Sequence, residues 1–199
     1  MSSPADYFDA MFKATSDPWG FRNRWYEKRK RQLTLATLPR EHYRRIFEAG
    51  CANGELSADL AQRCSELICC DVSPTAAELA KERLTDAAHA HVYAGALPGD
   101  WPEGSFDLIV LSEIGYYLDE AALLSVIEQS LESLTPDGAL LACHWLHPIE
   151  DGPLNGRLVH SLLQQHLTLS KVVCHRENDF LLELWCHHSS ALNLREDAL

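Results

Sequence analysis

The stretch that most constrains this chain is Arg44-Arg45-Ile46-Phe47-Glu48-Ala49-Gly50-Cys51-Ala52-Asn53-Gly54-Glu55-Leu56. It reads as a buried strand that stops at a Gly-rich turn and passes directly into a helix. Gly50 and Gly54 suit backbone that bends sharply and comes close to a ligand, because Gly has no Cβ penalty. The turn delivers free N–H groups at a helix N-terminus, a place for polar or anionic ligand atoms. Seventeen residues after Gly54, a second apolar run, Leu67-Ile68-Cys69-Cys70, ends in Asp71. An acid at the tip of the next strand, about 20 residues on, is the usual partner of a ribose diol. The Gly-rich turn alone is weak evidence; with Asp71 it points to a nucleotide-type cofactor.

At 199 residues the chain is expected to form one domain, 1–199, with a sizeable core. No run of 18 apolar residues occurs, and the start lacks a basic segment followed by an apolar one, so an unexported cytoplasmic protein is expected. The seven cysteines are odd in number and mostly sit in apolar segments, without paired CxxC or Cys/His spacing. Reduced core thiols are expected rather than disulfides or a metal site. Residues 1–45 carry a net charge of +5 and residues 46–199 a net of −17, together the chain's −12. So acidic a body argues against a nucleic-acid partner.

Residues 1–40 read as a helical segment ahead of the sheet. Tyr7, Phe8, Met11 and Phe12 fit one face of a short helix, Asp17-Pro18-Trp19-Gly20 is turn chemistry, and Phe21 to about Leu38 is helical, with Trp25, Leu33 and Leu38 as its apolar positions. The cations Arg24, Arg29 and Lys30 either face solvent or meet an anionic group of the ligand. An aromatic, basic segment of this kind is expected to act as a lid. Residues 41–188 then alternate strand and helix. Ser73-Pro74 opens a helix, His91–Ala94 and Phe106–Leu111 are strands, Asp119 caps a helix, Ala139–Cys143 is a fifth strand and 156–167 a helix. Runs at 169–175 and 180–187 form a closing hairpin, and 189–199 a tail. The pattern predicts an α/β, Rossmann-like doubly wound sheet of about seven strands, mostly parallel with an antiparallel C-terminal strand.

The Glu48–Gly54 turn, the Cys70-Asp71-Val72-Ser73 strand end, the Phe106–Val110 strand and the closing hairpin resemble class I S-adenosylmethionine-dependent methyltransferases. More narrowly, Asp17–Phe21, Trp25–Lys30, Leu111–Leu118 and His144-Trp145-Leu146-His147-Pro148 resemble the nodulation protein S family. The resemblance runs from about residue 5 to 187. It implies S-adenosyl-L-methionine as cofactor and methyl transfer to the amine of a de-acetylated glucosamine at the end of a chitooligosaccharide, in Nod-factor synthesis. The cofactor site it implies draws on Trp19, Arg24, Arg29, Lys30, Glu48, Gly50, Ala52, Gly54, Asp71, Val72, Ser73, Ala96, Leu97 and Ser112. Ala52 adds a methyl group at the middle of the turn. Gly95-Ala96-Leu97 stands where the wider family often has an Asp for the adenine, so adenine contacts are expected from backbone near Ala96 and from packing on Leu97.

An amine acceptor must lose its proton before it attacks. Glu113, past the fourth strand, could attract the amine and take that proton, or hydrogen-bond a loop or the N-terminal helix. His144 could serve as a base, or it and His147 could be satisfied or exposed histidines. Tyr116, Tyr117, Trp145 and His147 could contact a sugar acceptor or complete the core. Oxygen-directed methylation of another small metabolite, and a non-catalytic cofactor-binding protein, are the competing readings.

Overall fold

Apolar runs long enough to be buried on both faces make a central sheet, and the computed structural model, which describes residues 4–149 and 152–187, shows it. The chain runs α1 (Pro4–Ala14), α2 (Trp25–Thr37), β1 (Tyr43–Ala49), α3 (Glu55–Ala61), β2 (Cys64–Asp71), α4 (Pro74–Arg83), β3 (Ala90–Ala94), β4 (Phe106–Ser112), α5 (Glu120–Ser133), β5 (Leu134–Trp145), α6 (Gly156–His166), β6 (Ser170–Arg176) and β7 (Phe180–Cys186), with a 3-10 turn at Gly115–Tyr117. The seven strands lie in the order β3-β2-β1-β4-β5-β7-β6. β1 pairs in parallel with both β2 and β4, whereas β7 runs antiparallel between β5 and β6. Strand order therefore reverses between β1 and β4, the place where an open α/β sheet leaves a crevice at its carboxyl edge.

Two apolar layers hold this sheet. Ile46, Leu67, Leu108, Leu141 and Leu184 meet Leu60 of α3 and Ala80 of α4 on one face. On the other, Phe47, Ile109, Leu140 and Trp185 meet Leu123 and Ile127 of α5 and Leu163 of α6. Asp107 locks the start of β1 from the neighbouring strand, its carboxylate accepting the N–H groups of Arg44 and Arg45 at 2.8 Å. Helices start where capping groups exist: Ser73 accepts from Ala76 N–H, Asp119 from Ala122 N–H and Asn155 from Leu158 N–H. All seven cysteines are free thiols, six of them buried and Cys174 exposed. No helix among the described residues is long and apolar enough to cross a membrane. The expected tail, 189–199, lies outside the described residues.

Two elements differ from the sequence reading. Helix α2 starts at Trp25, not Phe21, because Asp17 folds the preceding turn by accepting the N–H groups of Phe21 and Arg22. Its inward stripe is also polar: Glu27, Lys30 and Thr34 are buried while Trp25 is 69% exposed. Strand β5 runs through Trp145, well past Cys143, because β7 pairs with it all the way from Ala139 to Trp145. A register shift opposite β4 absorbs the Pro136-Asp137-Gly138 turn, and Leu134 still pairs with Phe106.

Gly54 is the residue on which the first strand–helix turn depends. It caps α3 in a left-handed conformation (φ +79°), and an added Cβ would stand 3.0 Å from the Ala80 Cα of α4. Gly54→Ala would combine about 1–2 kcal/mol of left-handed strain with a contact to backbone that cannot swing aside. Thermal unfolding should show Tm lower by roughly 3–8 °C, given about 2–4 °C per kcal/mol for a chain of this size.

Candidate cofactor and acceptor site

A cavity of about 730 Å³ opens at the carboxyl edge of the sheet, at the β1/β4 switch point, under α1 and α2. Its volume is that of a full ligand site. At one end Asp71, at the tip of β2, is nearly buried. Its Oδ2 accepts the Ala52 N–H and its Oδ1 the Ser73 N–H, both at 2.9 Å. Burial raises its pKa against those two N–H groups. Each oxygen keeps a further lone pair, the requirement for receiving a diol. Ala52 is held at φ +49° to make its bond. Glu48, below the turn, is enclosed so completely that burial pushes its carboxyl up to about 7. Gly50, Val72, Ala96 and Leu97 line the same end. The Ala96 N–H, however, donates to Asp100 Oδ2 at 2.8 Å and is not free for a ligand.

The other end is built around a buried cation. Lys30 Nζ lies 2.6 Å from Glu113 Oε1 and 3.1 Å from Glu27 Oε2. Burial works against the ammonium, but Glu113 and Glu27 outweigh it and raise the Lys30 pKa. Glu113 Oε2 accepts from the Tyr116 hydroxyl at 2.5 Å and from the Trp145 N–H at 2.9 Å. Three donors thus converge on Glu113, which sits at φ +58°, a left-handed conformation that costs a side-chain-bearing residue on the order of 1–3 kcal/mol. Ser112, Tyr116, Tyr117 and Trp145 line this end.

Five of the expected site residues do not line the cavity. Arg29 pairs with Glu177 at 2.6 Å, because its position on α2 points it at the β6–β7 connection. Gly54 serves as a cap beneath the turn. The Ser73 hydroxyl caps α4 and donates to Asp9 of α1 at 2.9 Å. His147 is exposed and pairs with Asp179 at 2.7 Å. His144 lies inside β5, fully buried on the α6 side, where its Nε2 accepts the Gly115 N–H at 3.1 Å. Its Nδ1 then faces His160 Nε2 at 3.1 Å, and His160 Nδ1 faces Glu183 at 2.6 Å. Burial, with His160 and Lys30 nearby, drives the His144 pKa well below the usual imidazole value. A neutral, enclosed imidazole with both nitrogens engaged is no base for an acceptor in the cavity.

Residues 4–31 roof the cavity. Asp9 accepts from the Ser73 hydroxyl and the Thr75 N–H and pairs with Lys13, fixing α1 over the start of α4. Phe8 meets Tyr117 edge-on at 4.8 Å, and Trp19 packs against Phe12 and Phe21. Arg24 lies at the rim, its guanidinium on the Trp19 carbonyl. Tyr26, Glu27 and Asn53 are among the lining residues that the sequence does not mark as site residues. A signal existed for one of them, since Glu27, Lys30 and Thr34 fall at i, i+3 and i+7, a helical face that happens to be polar. The Tyr26 hydroxyl and Asn53 Oδ1 are buried without a hydrogen-bond partner among the described residues. Orphaned polar atoms on a cavity wall, an acid with spare lone pairs and a Gly-rich turn together fit a nucleoside cofactor.

Comparison with known proteins agrees with this geometry. A methyltransferase domain family matches residues 46–138. A Pseudomonas syringae protein assigned as a methyltransferase, of known crystal structure, is 57% identical, with 82% of this chain and 99% of that one covered and a TM-score of 0.74. The chain belongs to the methyltransferase family that these matches share. Its fold is also that of the N-methyltransferase NodS of Bradyrhizobium japonicum WM9, solved with S-adenosyl-L-homocysteine (TM-score 0.81, 24% identity, 92% of this chain and 97% of that one). Nodulation protein S of Rhizobium tropici is 33% identical over 130 residues, which are 64% of this chain and 55% of that protein. The chain thus spans little more than half the length of that curated relative.

Asp71→Ala should weaken S-adenosyl-L-homocysteine binding more than tenfold by calorimetry, the loss of a charge-assisted acceptor worth about 1.5–3 kcal/mol. Glu48 gives a pH signature of opposite origin. Between its unfolded value near 4.5 and its folded value of about 7 the native state alone keeps the proton, so this group's contribution to stability falls as pH rises through that window. Glu48→Gln should flatten that part of the Tm–pH curve.

Proposed function

We propose that this protein N-methylates an amino sugar, the de-acetylated glucosamine end of a chitooligosaccharide. The observation that carries the reading is the acceptor end of the cavity, where two carboxylates, Glu27 and Glu113, face one ammonium, Lys30, among aromatic side chains. An excess of buried negative charge favours a ligand that arrives as a cation. Tyr116, Tyr117 and Trp145 offer ring faces and edges to a sugar. The similarity to nodulation protein S supports the same acceptor class.

The bound sulfonium cofactor supplies an already activated methyl group, so the protein's task is alignment and proton removal. A carboxylate has about four acceptor positions, and Glu113 has three donors on it. The remaining position receives the acceptor amine, fixing its nitrogen and relaying its proton. Lys30 and the Tyr116 hydroxyl keep that carboxylate in place. Residues 5–31 act as the lid, with Arg24 at the rim as the cation nearest an anionic end of the cofactor, and exclude water once closed.

With chitosan-type oligomers as acceptors, mass spectrometry of the product should locate the added methyl on the terminal amine nitrogen. Methylated phenols with no methylated amine would instead make the protein an O-methyltransferase, and tight cofactor binding without any turnover would make it a binding protein. Glu113→Gln should reduce turnover about 10²-fold, as for loss of a general base. The loss should shrink at higher pH, where solution supplies the neutral amine, while cofactor affinity is retained. Normal turnover of Glu113→Gln at neutral pH would remove Glu113 from the role.

A further inference from the structure

A second, shallower hollow of about 290 Å³, open to solvent, lies on the far side of β5, between α6 and the β6–β7 hairpin. Its walls carry Arg157, Ser161, Lys171 and Arg176, with His160 and Glu183 at the base. Residues 46–199 hold only seven Lys and Arg, and three of them meet in this one place. Carboxylates account for other cations of this region and for Lys171, but not for the two arginines. Lys81 pairs with Glu78, Arg83 with Glu55, and Arg63 donates to main-chain carbonyls. Arg157 and Arg176, by contrast, have no ion pair among the described residues. The single carboxylate of the cavity, Glu183, is already matched by Lys171 at 2.6 Å and His160 at 2.6 Å.

The backbone is shaped to bring these cations together. In a regular strand Lys171 and Arg176, five residues apart, would project from opposite faces. The ladder between β6 and β7 slips between Lys171 and Val173, and beyond the slip Cys174 and Arg176 stand opposite Glu183 and Leu181. The irregularity turns Lys171 onto the Glu183 side, the usual effect of a bulge on a side chain's aim. Arg157 and Ser161 come from successive turns of α6 above it.

We propose that this cavity binds a small oxyanion, phosphate or a phosphate ester, between Arg157, Lys171 and Arg176. Guanidinium forks match phosphate oxygens bidentately, and Ser161 adds a hydroxyl donor. The site reaches the acceptor loop through fixed hydrogen bonds. The Gly115 N–H donates to His144 Nε2, so His144 Nδ1 carries its proton to His160 Nε2, and His160 Nδ1 in turn donates to Glu183. An oxyanion that draws Lys171 off Glu183 changes the charge at one end of this chain, whose other end is the backbone between Glu113 and Tyr116.

Calorimetric titration of the full chain with inorganic phosphate, at ionic strength held constant with chloride, tests the site. One saturable event per chain is expected. The double variant Arg157→Gln/Arg176→Gln should bind phosphate at least tenfold more weakly and S-adenosyl-L-homocysteine as before, which also shows that it is folded. Titration with glucose 6-phosphate, which has no amine for Glu113, separates the sources: tighter binding than the free ion, lost in the double variant, identifies a phosphorylated sugar. Absence of saturable binding, or equal phosphate affinity in the double variant, overturns the site. Nitrogen-15 signals of the His144 and His160 rings should shift as phosphate saturates, and unmoved rings overturn the connection to the acceptor loop.

Discussion

An ammonium enclosed in a largely apolar cavity must be matched by carboxylates, and the match made at Lys30 organises the whole of the cavity's end proposed to take the acceptor. Lys30 ties α2 to the loop after β4 through Glu113, and Glu113 in turn ties that loop to β5 through the Trp145 N–H. Three elements far apart in sequence converge on one carboxylate. Removing one partner of such a pair leaves an uncompensated buried charge, at about 3–5 kcal/mol. The ion pair is therefore a structural joint as well as a wall of the site. It also gives a physical reason for the left-handed backbone at Glu113: strain there is offset by the three hydrogen bonds its carboxylate accepts.

The cofactor end obeys a different economy. Asp71 is held by main-chain N–H groups alone, from Ala52 in the Gly-rich turn and Ser73 at the head of α4. Both donors belong to strand–helix junctions, so the acid is positioned by the fold itself and not by other side chains. The N-terminal segment then closes on these same junctions: Asp9 on Ser73 and Thr75, Asp17 and the Ser16 carbonyl on the Asn53 side chain. Roof and floor of the cavity share their anchor points. In the proposed lid role, an opening of this segment would disturb the Gly-rich turn as well.

His144 shows how one strand's length decides a residue's chemistry. Just past a strand end it would look into the cavity with a free nitrogen. Within β5, the alternation of side chains places it on the α6 face, with Ala142 and Leu140, against His160. The same two residues of additional ladder carry Trp145 to the cavity wall.

The strand–turn–helix at residues 44–56, the acid at the next strand tip, the order of elements and the closing hairpin were all legible in the sequence, because local apolar periodicity and glycine placement determine them. Glu48, Gly50, Ala52, Asp71 and Val72 come to one end of the cavity from the same short segments. What tertiary structure decided was every contact made across long sequence separation. Lys30 meets Glu113 over 83 residues, Arg29 is taken by Glu177 over 148, and Tyr26 and Glu27 turn inward on a helix whose buried stripe is polar. A helical period signals burial only when its residues are apolar, so the sequence pointed to Trp25 where the fold buries its neighbours. Charge pairing depends on distances that no spacing along the chain encodes.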